Sequence, residues 1–220
     1  MTTADLTVFL DFDGVLHPLW EPAPDSDCKG ENIHGPNAYA GPFFVYAPIL
    51  VELLASYLPH LDIVISSTWG HKRDLVTLKG LLPTELAARV KDAVHHHLPP
   101  LEAINKGENI NSRWTEIAWY RENVRPDIGA RWLAIDNDNS GWPAYAAAHL
   151  AYCNHDLGDP LSRQAIEDAL LLCRAIHPFA KDIAARRASG QQSGAIGLDE
   201  YGTLVVRGED GELYPFQPQM

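Results

Sequence analysis

Thr7-Val-Phe-Leu-Asp11-Phe-Asp13-Gly14 is the stretch of this 220-residue chain that decides the fold. A short run rich in apolar residues leads directly into two carboxylates and a glycine, which is the pattern of a buried strand whose C-terminal end turns polar. Side chains alternate along an extended chain, so Asp11 and Asp13 lie on the same side, and Gly14 allows a sharp turn. The stretch therefore predicts a strand that carries two carboxylates at its end.

Two later segments repeat this design, and helical patterns separate the three. The segments are Leu61-Asp-Ile-Val-Ile-Ser66 and Arg131-Trp-Leu-Ala-Ile-Asp136, and helical spacing covers residues 48–58, 83–96, 112–124 and 160–174, with an extension towards 187. Strands that alternate with helices predict an α/β fold in which a mainly parallel sheet lies between two layers of helices. Ligands bind such sheets at the carboxyl ends of the strands, where this chain places its Asp and Ser residues.

Domain boundaries follow from the distribution of Pro, Gly and polar residues. We expect a catalytic domain over residues 1–180, in which the Pro- and Gly-rich residues 17–47 form a flap or small cap over the site. Residues 181–220 are expected to form an extension made of a linker and a β-hairpin, which Pro215 restricts to a sheet edge. Neither gap between the motifs is long enough for a large cap domain, so we expect an open site.

The charge composition limits the kinds of partner that the chain can bind. Its 17 basic and 29 acidic residues give a net charge of −12, which argues against broad electrostatic capture of a nucleic-acid backbone but leaves room for a local basic groove. Apolar runs fall short of the roughly 20 residues that a membrane span needs, so no membrane association is expected. The three cysteines form no Cys-x-x-Cys pair and no signal-like segment opens the chain, so a cytoplasmic location is expected.

The paired carboxylates indicate a cation site. Asp11 and Asp13 repel one another unless a cation lies between them or one of them holds a proton. Mg²⁺ prefers oxygen ligands and supplies that compensation. Asp136 and Asp138 end the third strand and can complete the oxygen shell from the opposite side, although an Asx turn is the alternative for this segment.

Hydroxyl groups and a cation near the same sheet edge indicate a phosphate site. Ser66 and Ser67 end the second strand as a helix begins, which is typical either of a phosphate seat or of an ordinary N-cap. Arg113 follows the predicted N-cap Ser112, where the helix dipole disfavours positive charge unless an anion is bound. Lys106, in an irregular Gly- and Asn-containing segment, is the second candidate.

Two histidine features are ambiguous from the sequence. The consecutive residues His95, His96 and His97 point in different directions on the predicted helix, which favours a solvated helix end over a metal site. His17 follows the aspartate loop, where it contacts either a substrate or the protein core.

The order of these segments resembles that of the haloacid dehalogenase-like (HAD) hydrolases over about residues 6–175, and the details look closest to the HAD domain of Swiss-army-knife RNA repair proteins. The resemblance implies a Rossmann-like three-layer sandwich without a large cap domain. It also implies a Mg²⁺ cofactor and an aspartyl-phosphate intermediate. The site it implies consists of Asp11 as nucleophile, Asp13 as general acid and base, Ser67 or Ser66 and Arg113 or Lys106 as phosphate ligands, and Asp136 with the assistance of Asp138 as metal ligands.

The expected activity is that of a Mg²⁺-dependent phosphatase acting on a phosphorylated small molecule or a nucleic-acid end. Arg113 stands where the family more often has lysine, and Asn137 separates the two acids of the last motif. Two other classes of protein stay open on the residues alone. One is a phosphate-binding module without turnover, and the other is a metal-dependent nucleotide-sugar transferase that uses Asp-x-Asp to hold its cation.

Overall fold

The structure is a computed structural model that describes residues 6–18, 43–99, 110, 112–129, 131–188, 196–198, 204–207 and 213–215. The strands are β1 (Leu6–Leu10), β2 (Leu61–Ile65), β3 (Val90–Ala93), β4 (Trp132–Asp136), β5 (Leu150–Tyr152), β6 (Ile196–Leu198), β7 (Leu204–Arg207) and β8 (Leu213–Pro215). The α-helices are α1 (Ala47–Leu54), α2 (Leu75–Gly80), α3 (Thr84–Ala87), α4 (Arg113–Asn123) and α5 (Pro160–Ala188). Short 3₁₀ turns cover Leu58–His60, Thr68–His71, Val94–His96, Pro126–Ile128 and Ala144–His149.

The five N-terminal strands form one parallel sheet in the order β3-β2-β1-β4-β5. Strand β1 lies in the middle, where Val8 is level with Ile63 of β2 and with Leu133 of β4. All five residues of β1 are buried, as expected for a central strand that is covered on both faces. The α/β architecture predicted from the sequence is confirmed, and the end of β1 lies at the centre of the carboxyl edge.

Side chains alternate along β1, so successive residues face two different layers of helices. Leu10 packs in a core cluster with Leu50 of α1 and Ile166 of α5. Phe9 packs on the other face, with ring centroids 5.9 Å from those of both Tyr120 of α4 and Trp132. Helices α1 and α5 therefore cover one face of the sheet and α4 covers the other, which gives the three layers expected of this fold.

The helix predicted over residues 83–96 is wrong. The structure has the one-turn helix α3 and then strand β3, which pairs in parallel with β2. Val90, Ala93 and Val94 are buried at spacings that match a helix, but the register of β2 and β3 shifts between Ile63 and Val64. This irregularity brings both Val90 and Ala93 to buried positions of an edge strand, so apolar spacing alone misassigned the segment.

Beyond the parallel sheet, β6, β7 and β8 form an antiparallel sheet. Contacts link β6 to α5 and β8 to the turn Ala144–His149. Helix α5 continues through residue 180, and the division of the chain at that residue stays a prediction. Residues 19–42 of the expected flap lie outside the described residues. None of the helices in the described ranges is both long and apolar enough to cross a bilayer.

Candidate active site

The chain turns tightly after β1 and fixes the first carboxylate in the interior. The backbone N–H of Asp11 donates to the carbonyl oxygen of Ile135 at 3.0 Å, so the pairing with β4 continues one residue past the strand. Gly14 has a φ of +69°, and its N–H donates to the carbonyl oxygen of His17 at 3.0 Å. A glycine adopts this left-handed conformation without a Cβ penalty. The turn leaves the Asp11 side chain only 6% exposed at the centre of the sheet edge.

Two ring systems hold the second carboxylate, Asp13. The Trp69 indole N–H donates to both Asp13 oxygens, at 3.0 Å to Oδ1 and 2.9 Å to Oδ2. Nε2 of the buried His17 lies 2.9 Å from Asp13 Oδ1. The sequence had left open whether His17 contacts substrate or core, and the structure shows that it contacts Asp13. Sequence reasoning gave no role to Trp69, whose only signal was its place directly after the Ser-Ser-Thr strand end.

Arg113 reaches the site from the first turn of α4. The helix begins with a capping box, in which Ser112 Oγ accepts from the Thr115 N–H at 3.3 Å and Thr115 Oγ1 accepts from the Ser112 N–H at 3.0 Å. The guanidinium donates from Nε to Asp136 Oδ2 at 2.9 Å and from Nη1 to Glu116 Oε2 at 2.7 Å. Its Nη2 lies 3.6 Å from Asp11 Oδ1. One arginine therefore joins the ends of β1 and β4.

The two acids of the last motif differ in environment. Asp136 is fully buried, and its Oδ1 accepts the N–H of Asp138 at 2.9 Å. Asp138 is exposed, and its own Oδ1 accepts the N–H of Ser140 at 2.8 Å. Both side chains therefore form Asx turns, the alternative that the sequence offered for this segment, and Asp136 also faces Arg113 with its second oxygen. The other candidate cation, Lys106, lies outside the described residues.

Burial of acidic groups around one arginine shifts their protonation. Burial raises the pKa of Asp11, while Arg113 and the backbone N–H of Phe12 oppose that rise. Burial and the nearby charge of Asp11 raise the pKa of Asp136 to about 7, against the attraction of Arg113. Burial disfavours the charged guanidinium, but Asp11, Asp136 and Glu116 together raise the pKa of Arg113. The acidic groups thus outnumber the cation that they share, and the site favours added positive charge.

Ser66 and Ser67 follow β2 with two buried hydroxyl groups, of which that of Ser67 lies beside Asp11. Both residues are fully buried, and neither Oγ makes a hydrogen bond of ordinary geometry to the described residues. Ser67 nevertheless lies close enough to Asp11 for a long side-chain hydrogen bond that opposes the rise in the pKa of Asp11. Ser67 precedes the turn Thr68–His71, but its side chain does not cap that turn. A buried hydroxyl without a partner is expected to bind something, and a phosphoryl oxygen fits this polarity.

Asn137 is a site residue that sequence reasoning treated only as a spacer. One end of its side-chain amide lies 3.2 Å from Asp11 Oδ2 and 3.2 Å from the Asp13 carbonyl oxygen. With nitrogen at that end, the amide donates a hydrogen bond to each oxygen.

The donor set fits a hard divalent cation. The described residues contain no group of three or more His, Cys, Asp or Glu side chains placed to hold a metal ion by themselves. The site instead offers the buried carboxylates of Asp11 and Asp136 together with the Asp13 carbonyl oxygen. Mg²⁺ takes oxygen ligands of this kind and retains several waters, so two carboxylates with a carbonyl oxygen suit it.

Comparison with known proteins assigns the family. A model of the family described as the HAD domain in Swiss Army Knife RNA repair proteins matches residues 7–163, which include β2 to β5, all of β1 except Leu6, and each described site residue. No curated protein and no solved structure is significantly similar to the chain. The matched segment covers more than half of the chain and ends within α5, so this chain belongs to the HAD domain family of Swiss Army Knife RNA repair proteins.

Proposed function

We propose that this protein is a Mg²⁺-dependent phosphatase that works through an aspartyl-phosphate on Asp11. The observation that carries the proposal is the bridge from Arg113 to both Asp11 and Asp136 at the carboxyl ends of two adjacent parallel strands. The family of phosphatase-like hydrolases to which the chain belongs supports the same chemistry. Ligands of open α/β sheets bind at this edge, where the buried residues Ser66 and Ser67 follow β2 and Ser67 is close to Asp11.

The reaction divides between the two carboxylates. An Asp11 oxygen attacks phosphorus, and the bond from phosphorus to the leaving oxygen breaks as Asp13 donates a proton to that oxygen. Asp13 then takes a proton from a water molecule, which attacks phosphorus and releases inorganic phosphate and the free Asp11 carboxylate. Asp11, Asp136 and the Asp13 carbonyl oxygen would hold Mg²⁺, which would supply positive charge to neutralise the phosphoryl group.

The contacts of Asp13 fit both of its protonation states. A neutral imidazole has one ring nitrogen that donates and one that accepts. With its proton on Nε2, His17 donates to the Asp13 carboxylate, and with Nε2 bare it accepts from a protonated Asp13. The Trp69 N–H lies near both oxygens and keeps the carboxyl group oriented in either state. His17 and Trp69 therefore support an acid that must gain and lose its proton in every cycle.

Phosphorylated nucleic-acid ends are the substrates that we propose for this site. The family is described as belonging to RNA repair proteins. At the rim, the Arg73 guanidinium lies 4.2 Å from the centroid of the Trp69 ring, next to the indole that holds Asp13. Phe43 packs against Trp69 at a centroid distance of 5.4 Å and is 48% exposed. A cation and an exposed aromatic ring beside the acid suit the backbone and base of a terminal nucleotide.

Phosphate release tests the proposal directly. With Mg²⁺ present, we expect the protein to release phosphate from a 3′- or 5′-phosphorylated oligonucleotide faster than from sugar phosphates. Chelation of Mg²⁺ or the substitution Asp11→Asn should abolish release. Release that survives Asp11→Asn, or phosphate binding without any turnover, would overturn the assignment of Asp11. Faster turnover of sugar phosphates would overturn the nucleic-acid preference alone.

A further inference from the structure

A row of side chains lies behind Arg113, on the side away from the proposed metal ligands. Glu116, one turn along α4, accepts from Arg113 Nη1 at 2.7 Å. Its other oxygen lies 3.4 Å from Nε2 of His95. The His95 ring in turn packs against the ring of the exposed His71 at a centroid distance of 3.9 Å. The row thus runs from the protein surface to the guanidinium that bridges Asp11 and Asp136.

The guanidinium of Arg113 needs a hydrogen-bond acceptor in addition to Asp136. A guanidinium presents N–H groups in a fixed fork, so its orientation is set only when several of them have partners. Nε is fixed by Asp136 at 2.9 Å, but Nη2 is 3.6 Å from Asp11, too far for an ordinary hydrogen bond. Without Glu116, the plane of the guanidinium would be fixed at one nitrogen only. Glu116 also places negative charge in the first turns of α4, where the helix dipole favours it.

His95 is enclosed in a way that restrains Glu116. Its side chain is fully buried, whereas Glu116 is 18% exposed. Gly70 packs under it so closely that a Cβ on Gly70 would lie 3.3 Å from the His95 Cβ. Burial disfavours the Glu116 carboxylate, but His95 and Arg113 more than compensate and lower the pKa of Glu116. The carboxylate is therefore held from both sides, by a buried ring and by the guanidinium.

We propose that Glu116 and His95 are positioning residues that fix the guanidinium of Arg113 so that its Nη2 faces Asp11 and a bound phosphoryl group. Glu116 acts through Arg113, and His95 acts through Glu116. The proposal rests on the proposed function because it assigns these residues to the same phosphate site. A lysine would need no such support, since its ammonium is a point charge without a plane to orient.

A double-mutant cycle tests whether Glu116 acts through Arg113. The variants are Glu116→Ala, Arg113→Lys and the double variant, and the readouts are the Kd for inorganic phosphate in Mg²⁺ and the kcat/KM for a phosphorylated oligonucleotide. We expect Glu116→Ala alone to weaken both by about 10-fold to 100-fold, as for loss of a hydrogen bond to a charged group. In the Arg113→Lys background, the same change should alter them by less than about 2-fold.

Conservative and control variants separate positioning from folding. Glu116→Gln keeps an oxygen for Nη1 to donate to, and should restore phosphate binding to within about 5-fold of wild type. Glu122→Ala changes an exposed carboxylate on the same helix, and should leave both readouts unchanged. If Glu116→Ala does not fold, His95→Gln enters the cycle in its place with the same expected coupling.

Two results would overturn the positioning role. One is a Kd for phosphate that Glu116→Ala leaves unchanged. The other is a loss of phosphate affinity on Glu116→Ala that is equally large in the wild-type and Arg113→Lys backgrounds. Phosphate binding is measured without turnover, so the cycle tests Glu116 even in a protein without activity. A wild-type protein that binds phosphate but does not hydrolyse a phosphorylated oligonucleotide would contradict the proposed function alone.

Discussion

The indole N–H of Trp69 donates to both carboxylate oxygens of Asp13, although the two residues are 56 positions apart in the sequence. Trp69→Phe removes this donor while keeping the aromatic packing against Phe12 and Phe44. A hydrogen bond to a charged group contributes about 1.5–3 kcal/mol, so we expect kcat to fall by about 10-fold to 100-fold. Steady-state phosphate release from a phosphorylated oligonucleotide measures this change.

Trp119→Phe is the matched control for that substitution. Trp119 is partly buried on α4, and its carbonyl oxygen accepts from the Asn123 side chain. Replacing its indole should leave kcat within about 2-fold of wild type, within the usual small effect of substitutions away from a site. Equal losses in the two variants would mean that the contact to Asp13 does not orient the acid.

Asp13→Asn should separate the two halves of the reaction. An aryl phosphate with a weakly basic leaving group needs no proton from Asp13, so Asp11 can still be phosphorylated. Hydrolysis of the intermediate does need a base, so turnover should stop after the first step. Rapid mixing should therefore show a burst of about one equivalent of phenol per site, followed by very slow release.

The double variant with Asp11→Asn is the control for that burst. It lacks the proposed nucleophile and should release no phenol above the background rate. A burst that persists without Asp11 would assign the covalent step to another residue. If Asp13→Asn alone shows no burst with the aryl phosphate, Asp13 is needed before the bond to the leaving group breaks.

Tyr120 donates to Asp92 Oδ2 at 2.8 Å and ties α4 to the edge strand β3. Burial disfavours the Asp92 carboxylate, but His97 and Tyr120 hold its pKa below 3.8. A lowered pKa contributes stability above the unfolded value, and that contribution is lost as the pH falls through the folded value. Tyr120→Phe should therefore lower the free energy of unfolding by about 1–2 kcal/mol at neutral pH, and by less below about pH 4.

Urea unfolding at a series of pH values measures this difference. Tyr152→Phe is the control, because the Tyr152 hydroxyl donates to the uncharged side chain of Asn154 at 3.1 Å. Its effect should not change with pH over the same range. A difference between wild type and Tyr120→Phe that stays constant under acid would show that Asp92 does not depend on Tyr120 for its charge.

Gly141 should not tolerate a side chain. Its φ is +74°, and a Cβ would lie 2.7 Å from Ser112 Oγ, which is the N-cap of the helix that carries Arg113. We expect Gly141→Ala to destabilise the protein by about 2 kcal/mol or more, from backbone strain together with the displaced cap. Because the start of α4 would shift, phosphate affinity should fall as well. Thermal unfolding and phosphate titration measure the two effects.

Gly80→Ala is the control for Gly141. Gly80 ends α2, and a Cβ there would meet nothing within 4 Å. Alanine in place of a helical glycine should be neutral or stabilise by up to about 1 kcal/mol. If Gly141→Ala were equally well tolerated, the loop after β4 would not support the N-terminus of α4.

The central part of the fold could be predicted because local pattern and topology agree there. The apolar runs before Asp11, Ser66 and Asp136 mark buried strands, and parallel strands bring their carboxyl ends to one edge. The capping residue Ser112 likewise marked the start of α4. The architecture and the approach of Asp11 and Asp136 at one edge could therefore be expected from the sequence, which left Arg113 and Lys106 as alternative cations.

The parts that were missed depend on contacts that no local pattern encodes. Trp69 reaches Asp13, and His95 reaches Glu116, only after the strands are side by side. His95 was expected on a solvated helix end, but it is buried because residues 90–93 form an edge strand. The helical spacing of that segment came from an irregular register, which is a property of the pairing with β2. The roles of all the predicted site residues, including Asp138 and Lys106, stay predictions.

The two carboxylates after β1 differ sharply in accessibility, with side-chain exposures of 6% for Asp11 and 26% for Asp13. In the proposed reaction, the more buried carboxylate takes up the phosphoryl group and the more exposed one protonates the leaving group. Selectivity can then diverge through the rim around Asp13 while the bond-breaking chemistry at Asp11 stays constant. A single buried carboxylate that acts as the proposed nucleophile can in this way serve molecules of very different size.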